Sequence, residues 1–386
     1  MIIVHVGLND IEYYLYKNYF ISSNAERDRY RNLSARLLVE DATLVVLNVP
    51  SGTEFGIDLK SWNTDHNFKV IMFIYLSPKI GFLHTFKKSE FLVRRWDTKE
   101  EDLSSEGIII FEELVQKLKD NLKELNRYLG SYPFDIWTQW KELTNHVSPS
   151  LIERCSPICG FVRSALELEP CSDAMRPRGG VSYPKKRRSA ITTEAKEEEL
   201  LPDLKPRPGT ELRLSKLPDK NYPDGASPTE ITRHSLDSSY ALNTLINTLT
   251  KPMEIIGELQ LVFVCFLVGQ NLDAFEHWKK QIYLICGADS AISERRDIYF
   301  EFMKAIEIQL THVPEDMLCD IVVNNNFVYY NLRILFANIE INSEVDGHLK
   351  SYASRFCERL TRKFSWDFCN LQDENEDEAP VVVSLE

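Results

Sequence analysis

The sequence predicts an α+β multidomain protein, in which a β-rich N-terminal domain with appended helices precedes an all-α domain of stacked helices. Three observations predict it. Short apolar runs broken by turn residues fill the stretch from Ala42 to Trp96, a helical period of leucines follows Phe111, and amphipathic helical segments alone occupy Ser227 to Phe368. With 386 residues, 44% of them hydrophobic, the chain can bury a sizeable core.

Residues 1–35 combine an apolar opening with "IEYYLYKNYFI" and a charged stretch, and are set apart as an N-terminal extension. The β-rich domain with its helices then spans 36–169. Within it "TLVVLNV" reads as a buried strand, "PSGT" as a turn and "EFGI" as the returning strand. Hairpin geometry accounts for Gly52 and Gly56 without a cofactor. "FKVIMFIYL", "IGFLHTF" and "EFLVRRW" supply three more strands, giving a mostly antiparallel unit.

Helix follows, because Leu114, Leu118, Leu122, Leu125 and Leu129 share one stripe, with Gly130 placed to end it. Ser148 and Pro149 open another helix as N-cap and first residue. From Pro170 to Gly209 there are six prolines, three glycines and nine basic residues without an apolar period, so 170–209 reads as a flexible linker and domain boundary.

The helical domain spans 210–370. "SPTE" is a capping box on Ser227 and Glu230, opening a helix whose apolar side is Ile231, Leu242, Leu245, Ile246 and Leu249. "EIIGELQLVFVCFLVG" is apolar nearly all round and so belongs at the centre of a bundle or solenoid, where Glu258 needs a partner. "DAFEHWKKQIYLIC", "DIYFEFMKAIEIQL", "PEDMLCDIVV" and "HLKSYASRFCERLTRKF" continue as shorter helices of an α-superhelix that offers surfaces to other proteins.

The net charge of -13 argues against a general grip on nucleic-acid phosphates and favours a protein partner. The apolar run Leu261 to Val268 is far short of the ~20 residues of a membrane span. The eight cysteines mostly lie in apolar helical patterns, which suits cytosol or nucleus; the irregular Cys155, Cys159 and Cys171 spacing reads as free thiols rather than a zinc site.

No cofactor or catalytic set is expected. His234, Ser235 and Asp237 lie close in sequence, but neighbouring helical positions point to different faces, so they read as a hydrogen-bonding cluster. In "EHWKK", Trp278 is expected to pack beside His277 while Lys279 and Lys280 reach water. "FSWDF" is expected to pack the end of the preceding helix.

The end of the chain, 371–386, places five acids before Pro380 and a strand-forming Val381, Val382, Val383, Ser384 and Leu385. The linker holds a basic run, Lys185, Lys186, Arg187 and Arg188, a candidate nuclear-import address. Ser182, Ser189, Thr192 and Thr193 flank it as candidate phosphorylation sites.

"LVVLNVPSGTEFGIDLKSW", "KPRPGTELRLSKLP", "SPTEITRHSLDSSYAL", "GELQLVFVCFLVGQNLDAFEHWK", "KFSWDF" and "APVVVSLE" together resemble the A1-alpha-2-repression (AAR-two) splicing-factor family, in the same order. The resemblance runs from about residue 36 to the C-terminus; 1–35 have no counterpart, and between Thr85 and Phe91 the family usually carries a longer segment with an additional strand. It implies a VHS-like α-superhelical second domain and a non-catalytic assembly chaperone of the U-five small nuclear ribonucleoprotein. Such a chaperone holds the large pre-mRNA-processing scaffold through its RNase-H-like and Jab/MPN domains and keeps the RNA helicase away. It further implies residence in cytoplasm and nucleus, no membrane and no sequence-specific nucleic-acid binding. Val381 to Leu385 become a strand donated to the scaffold's sheet edges. Two rivals are a VHS-like trafficking adaptor, which requires neither the basic run nor the tail, and an enzyme, which requires His234 and Asp237 to line a pocket.

Overall fold

A computed structural model describes residues 42–50, 53–63, 79–97, 102–103, 108–121, 124, 133–164, 207–218, 220–313 and 327–368. Within these the chain is α+β, with short strands in its N-terminal part and helices through the rest. Strand β1 (Thr43–Leu47) pairs in parallel with β5 (Phe91–Asp97), Thr43 opposite Phe91 and Leu47 opposite Arg95. Among the described residues the longest pairing is therefore parallel, where a mostly antiparallel unit was expected. The long stretch between the two strands permits it, since a parallel pair needs a crossover of a dozen residues or more.

The expected return of "EFGI" onto β1 is also corrected. β2 (Glu54–Ile57) instead makes an antiparallel hairpin with β3 (Lys60–Asn63), through a turn at Asp58 and Leu59. Asp58, not a glycine, takes the left-handed conformation there, with φ 54°, a region Asp tolerates better than most residues. "IGFLHTF" contributes only the two-residue β4 (Ile80–Gly81), which pairs with β7 (Val162–Arg163). β6 (Asp102–Leu103) adds to the edge of β5. "FKVIMFIYL" and Gly52 lie outside the described residues.

Helix α1 (Ile108–Asp120) carries the start of the leucine stripe, Leu114 and Leu118; Leu122, Leu125, Leu129 and Gly130 lie outside the described residues. α2 (Trp137–Thr144) was not expected. α3 (Pro149–Cys155) begins as expected, with the Ser148 hydroxyl accepting from the Leu151 N–H and proline in the first turn. The Ser227 capping box is also present on α4 (Pro228–Leu236). That helix does not run on to Leu249. It stops at Asp237, whose carboxylate accepts from the Ser239 N–H at 2.9 Å and opens α5 (Ser239–Thr248).

The remaining helices are α6 (Glu254–Leu267), α7 (Leu272–Cys286), α8 (Asp289–Glu294), α9 (Arg296–His312), α10 (Phe327–Ile341) and α11 (Gly347–Phe364). α6 is the central one, buried from Ile255 to Phe266. No helix among the described residues is long and apolar enough to cross a membrane. α8 and α10 fall within the stretch read as helical throughout but were not singled out as segments, whereas "PEDMLCDIVV" lies outside the described residues. Trp366 and Phe368 close the helical stack as expected, Phe368 standing edge-on to Phe336 at 5.1 Å.

α2 and α3 precede residue 170 in sequence, yet Leu143, Val147, Leu151, Ile152 and Cys155 share one core with α5 to α11. Gly257 makes the close approach possible. A Cβ built there would sit 2.4 Å from the His146 carbonyl oxygen and 2.8 Å from Leu151 Cδ2. Gly257→Ala is therefore expected to destabilise the fold by about 1–3 kcal/mol, despite the better helix propensity of alanine. Chemical denaturation checks this, and a neutral or stabilising substitution would contradict the packing.

Candidate functional site

The charge that α6 buries has found its partners. Glu258 is 1% exposed, and its two oxygens accept from three parts of the chain. Arg154 Nη2 of α3 donates to Oε2 at 2.7 Å. Ser215, in the stretch entering the helical stack, donates its hydroxyl to Oε2 at 2.7 Å and its N–H to Oε1 at 3.0 Å. His277 Nε2 of α7 lies 3.0 Å from Oε1, and Gln281 Nε2 lies 3.4 Å from the same oxygen. The Cys155 thiol approaches Oε2 at 3.8 Å.

Burial alone would raise the Glu258 carboxyl, but the hydrogen bonds from His277, Ser215 and Arg154 outweigh it and hold the group at about 2. Burial, with the adjacent Glu258 charge, pushes the Cys155 thiol up to about 12. A thiol so protonated is no nucleophile at neutral pH. The carboxylate, with its acceptor positions filled by donors from α3, from Ser215 and from α7, acts as a clamp joining three segments far apart in sequence.

A second polar seam runs beside it. Gln260 Oε1 accepts from the His146 N–H at 2.9 Å, and its Nε2 donates to Asn145 Oδ1 at 2.6 Å. His146 Nε2 lies 2.9 Å from Glu301 Oε2 on α9. The α2–α3 turn is thus pinned to α6 and α9 by directional bonds as well as by apolar packing.

Sequence reading saw that Glu258 needed a partner but did not identify Arg154, Ser215 or His277. "EHWKK" otherwise behaves as expected. Trp278 is buried and donates to Gln309 Oε1 at 2.9 Å, while Lys279 pairs with Glu276 and Lys280 is exposed. His234, Ser235 and Asp237 do not converge. Ser235 Oγ donates to the Thr232 carbonyl, the His234 ring lies 5.4 Å from that of Tyr240, and Asp237 accepts from Ser239 Oγ at 2.5 Å and Ser290 Oγ at 2.6 Å. That is a hydrogen-bonded cluster tying the start of α5 to α8.

Cys155 is buried and Cys159 exposed, the latter's thiol facing the Phe161 carbonyl; Cys171 lies outside the described residues. Also outside them lie Val381, Val382, Val383, Ser384, Leu385, Lys185, Lys186, Arg187, Arg188, Ser182, Ser189, Thr192 and Thr193. Among the described residues the surface offers an unusual helix. α4 buries none of its side chains, and Leu236 at its end is 82% exposed.

Comparison with known proteins matches both halves of this arrangement. Residues 40–157 match the AAR2 N-terminal domain and residues 214–369 the AAR2 C-terminal repeat region. The clamp thus draws Arg154 from the first match and Ser215, Glu258 and His277 from the second. The chain is 37% identical to the Protein AAR2 homolog of Homo sapiens over 383 residues, covering 92% of this chain and 96% of that protein. It is 36% identical to that of Mus musculus with the same coverage, and 31% identical to that of Caenorhabditis elegans over 85% of this chain and 94% of that protein. The chain belongs to the AAR2 family.

Proposed function

We propose that this protein is a non-catalytic assembly factor of pre-mRNA splicing that works on the U-five small nuclear ribonucleoprotein. It holds the large scaffold protein of that particle through the scaffold's RNase-H-like and Jab/MPN domains and delays association of the RNA helicase. The observation that carries this reading is membership of the AAR2 family across nearly the full length of both chain and relatives. The Glu258 clamp supports it, because a protein that grips a large partner gains from holding its own parts in fixed relation.

In this reading 170–209 is a linker between 36–169 and 210–370, and Val381 to Leu385 are donated as a strand, with the acids before Pro380 as tether. Backbone hydrogen bonds supply affinity, and alternate side chains fill pockets. Lys185 to Arg188 serve import, so that the protein works in cytoplasm and nucleus. Ser182, Ser189, Thr192 and Thr193 offer phosphorylation sites beside that run.

A chain ending at Leu371 tests the donated strand. It should bind the two scaffold domains together at least tenfold more weakly than the full chain, roughly 1.4 kcal/mol. Equal affinity would remove the tail from recognition and leave the helical surface to carry it.

A further inference from the structure

The stretch after Ser215 and the outward side of α7 enclose an open groove of about 370 Å³. Leu217, Tyr283, Leu284 and Phe327 line it with apolar surface, and its charged lining is Lys279, Lys280 and Glu276, a net positive set. Tyr283 is 53% exposed there, a large aromatic face left in water.

The last described residues pack on α10, whose first residue, Phe327, lines the groove. Arg333 Nη1 of α10 donates to the Asp367 carbonyl at 3.0 Å, the Tyr329 hydroxyl donates to the same oxygen, and the Phe368 ring lies 5.3 Å from that of Tyr329. Tyr329 is two positions from Phe327, about 3 Å along the helix axis. Phe368 therefore packs within one turn of Phe327 along α10, though on another face of that helix. The 12 residues between Phe368 and Val381 can span up to ~40 Å, so reach sets no limit.

The residues after Phe368 match the groove in kind. Asp373, Glu374, Glu376, Asp377 and Glu378 carry five negative charges, and Val381 to Val383 then form a compact apolar segment. We propose that the groove is a docking site for the chain's own C-terminal tail, the valines against Tyr283 and Phe327 and the acids against the lysines. Lys279 already pairs with Glu276 at 2.5 Å, so the exposed Lys280 carries the larger share of the attraction.

A short tether makes this contact effective even if it is intrinsically weak. Linkage presents the tail at about millimolar effective concentration, so an intrinsic Kd near millimolar keeps the groove occupied about half the time. Any partner that takes the tail then binds only the released fraction, and its apparent affinity falls by that factor. The latch stands apart from the identity of that partner.

The test uses full chains and a fluorescent peptide of residues 371–386. The peptide should bind the full-length Val381→Asp, Val383→Asp chain, whose own tail is disabled, and bind the wild-type chain about twofold more weakly, as a groove occupied half the time requires. Adding Lys279→Glu and Lys280→Glu to the disabled chain should weaken peptide binding at least tenfold, as should Tyr283→Ala, an exposed substitution the fold tolerates. Raising salt should weaken it as well. No binding to the disabled chain overturns the proposal, as does binding that ignores all three groove substitutions. Neither outcome involves the scaffold, so failure here is separate from failure of the splicing reading.

Discussion

Glu258→Gln should cost on the order of 3 kcal/mol of stability at neutral pH, more than an ordinary polar substitution. The carboxylate oxygens receive Arg154, Ser215 and His277. A carboxamide keeps one acceptor and turns an NH2 toward groups that themselves donate, leaving buried donors unanswered. Arg154 is 36% exposed on its side chain and can turn partly to water, which keeps the cost toward the lower end for a broken buried pair.

The pH dependence of this effect has a definite sign. Because the folded carboxyl is held at about 2, below the ordinary 4.5, the unfolded chain binds a proton at this position first as pH falls. The contribution is complete above about pH 5 and lost as pH drops through 2, with about half gone at pH 3. Urea denaturation of both chains at pH 7 and pH 3 should find their stabilities converging at the lower pH. A constant gap would contradict the clamp.

Trp140→Ala should be as damaging or more so, at about 3–5 kcal/mol. Trp140 is 1% exposed and packs with Trp137 against Val264 of α6 and Val268 at its C-cap. Truncation empties a volume that rigid helices on both sides cannot collapse to fill. Its value as a test lies in its position, before residue 170 in sequence but against the helical stack in space. If the regions on either side of 170–209 were independent bodies, the substitution would leave denaturation of the helices unchanged. The packing predicts that the helical transition itself shifts.

What the sequence made legible was local. The Ser227–Glu230 capping box, the Ser148 cap and the fully buried α6 each depend on residues within one or a few turns, and each stands where the pattern put it. α10 was not singled out because "FVYYNLRILFANIEI" is rich in aromatic and β-branched residues, whose weak helical preference is overridden by packing against α7 and α11. The break between α4 and α5 turns on one Asp237 side chain competing with the helix for backbone N–H groups.

The pairing of β1 with β5 and the partners of Glu258 were not legible for a different reason. Thr43 meets Phe91 and Glu258 meets Arg154 only through the whole fold, and no short spacing records either contact. The family resemblance, by contrast, lay in long stretches such as "SPTEITRHSLDSSYAL", and it was the resemblance that directed attention to a large protein partner.

The measurement that bears most directly on function is a calorimetric titration of the full chain with the scaffold's RNase-H-like and Jab/MPN domains, separately and then together. Saturable binding to the pair is expected, tighter than to either domain alone, because two contacts on one body reinforce each other through effective concentration. Absence of binding to either domain or to the pair would contradict it, and would leave family membership without the scaffold-holding role proposed for this chain.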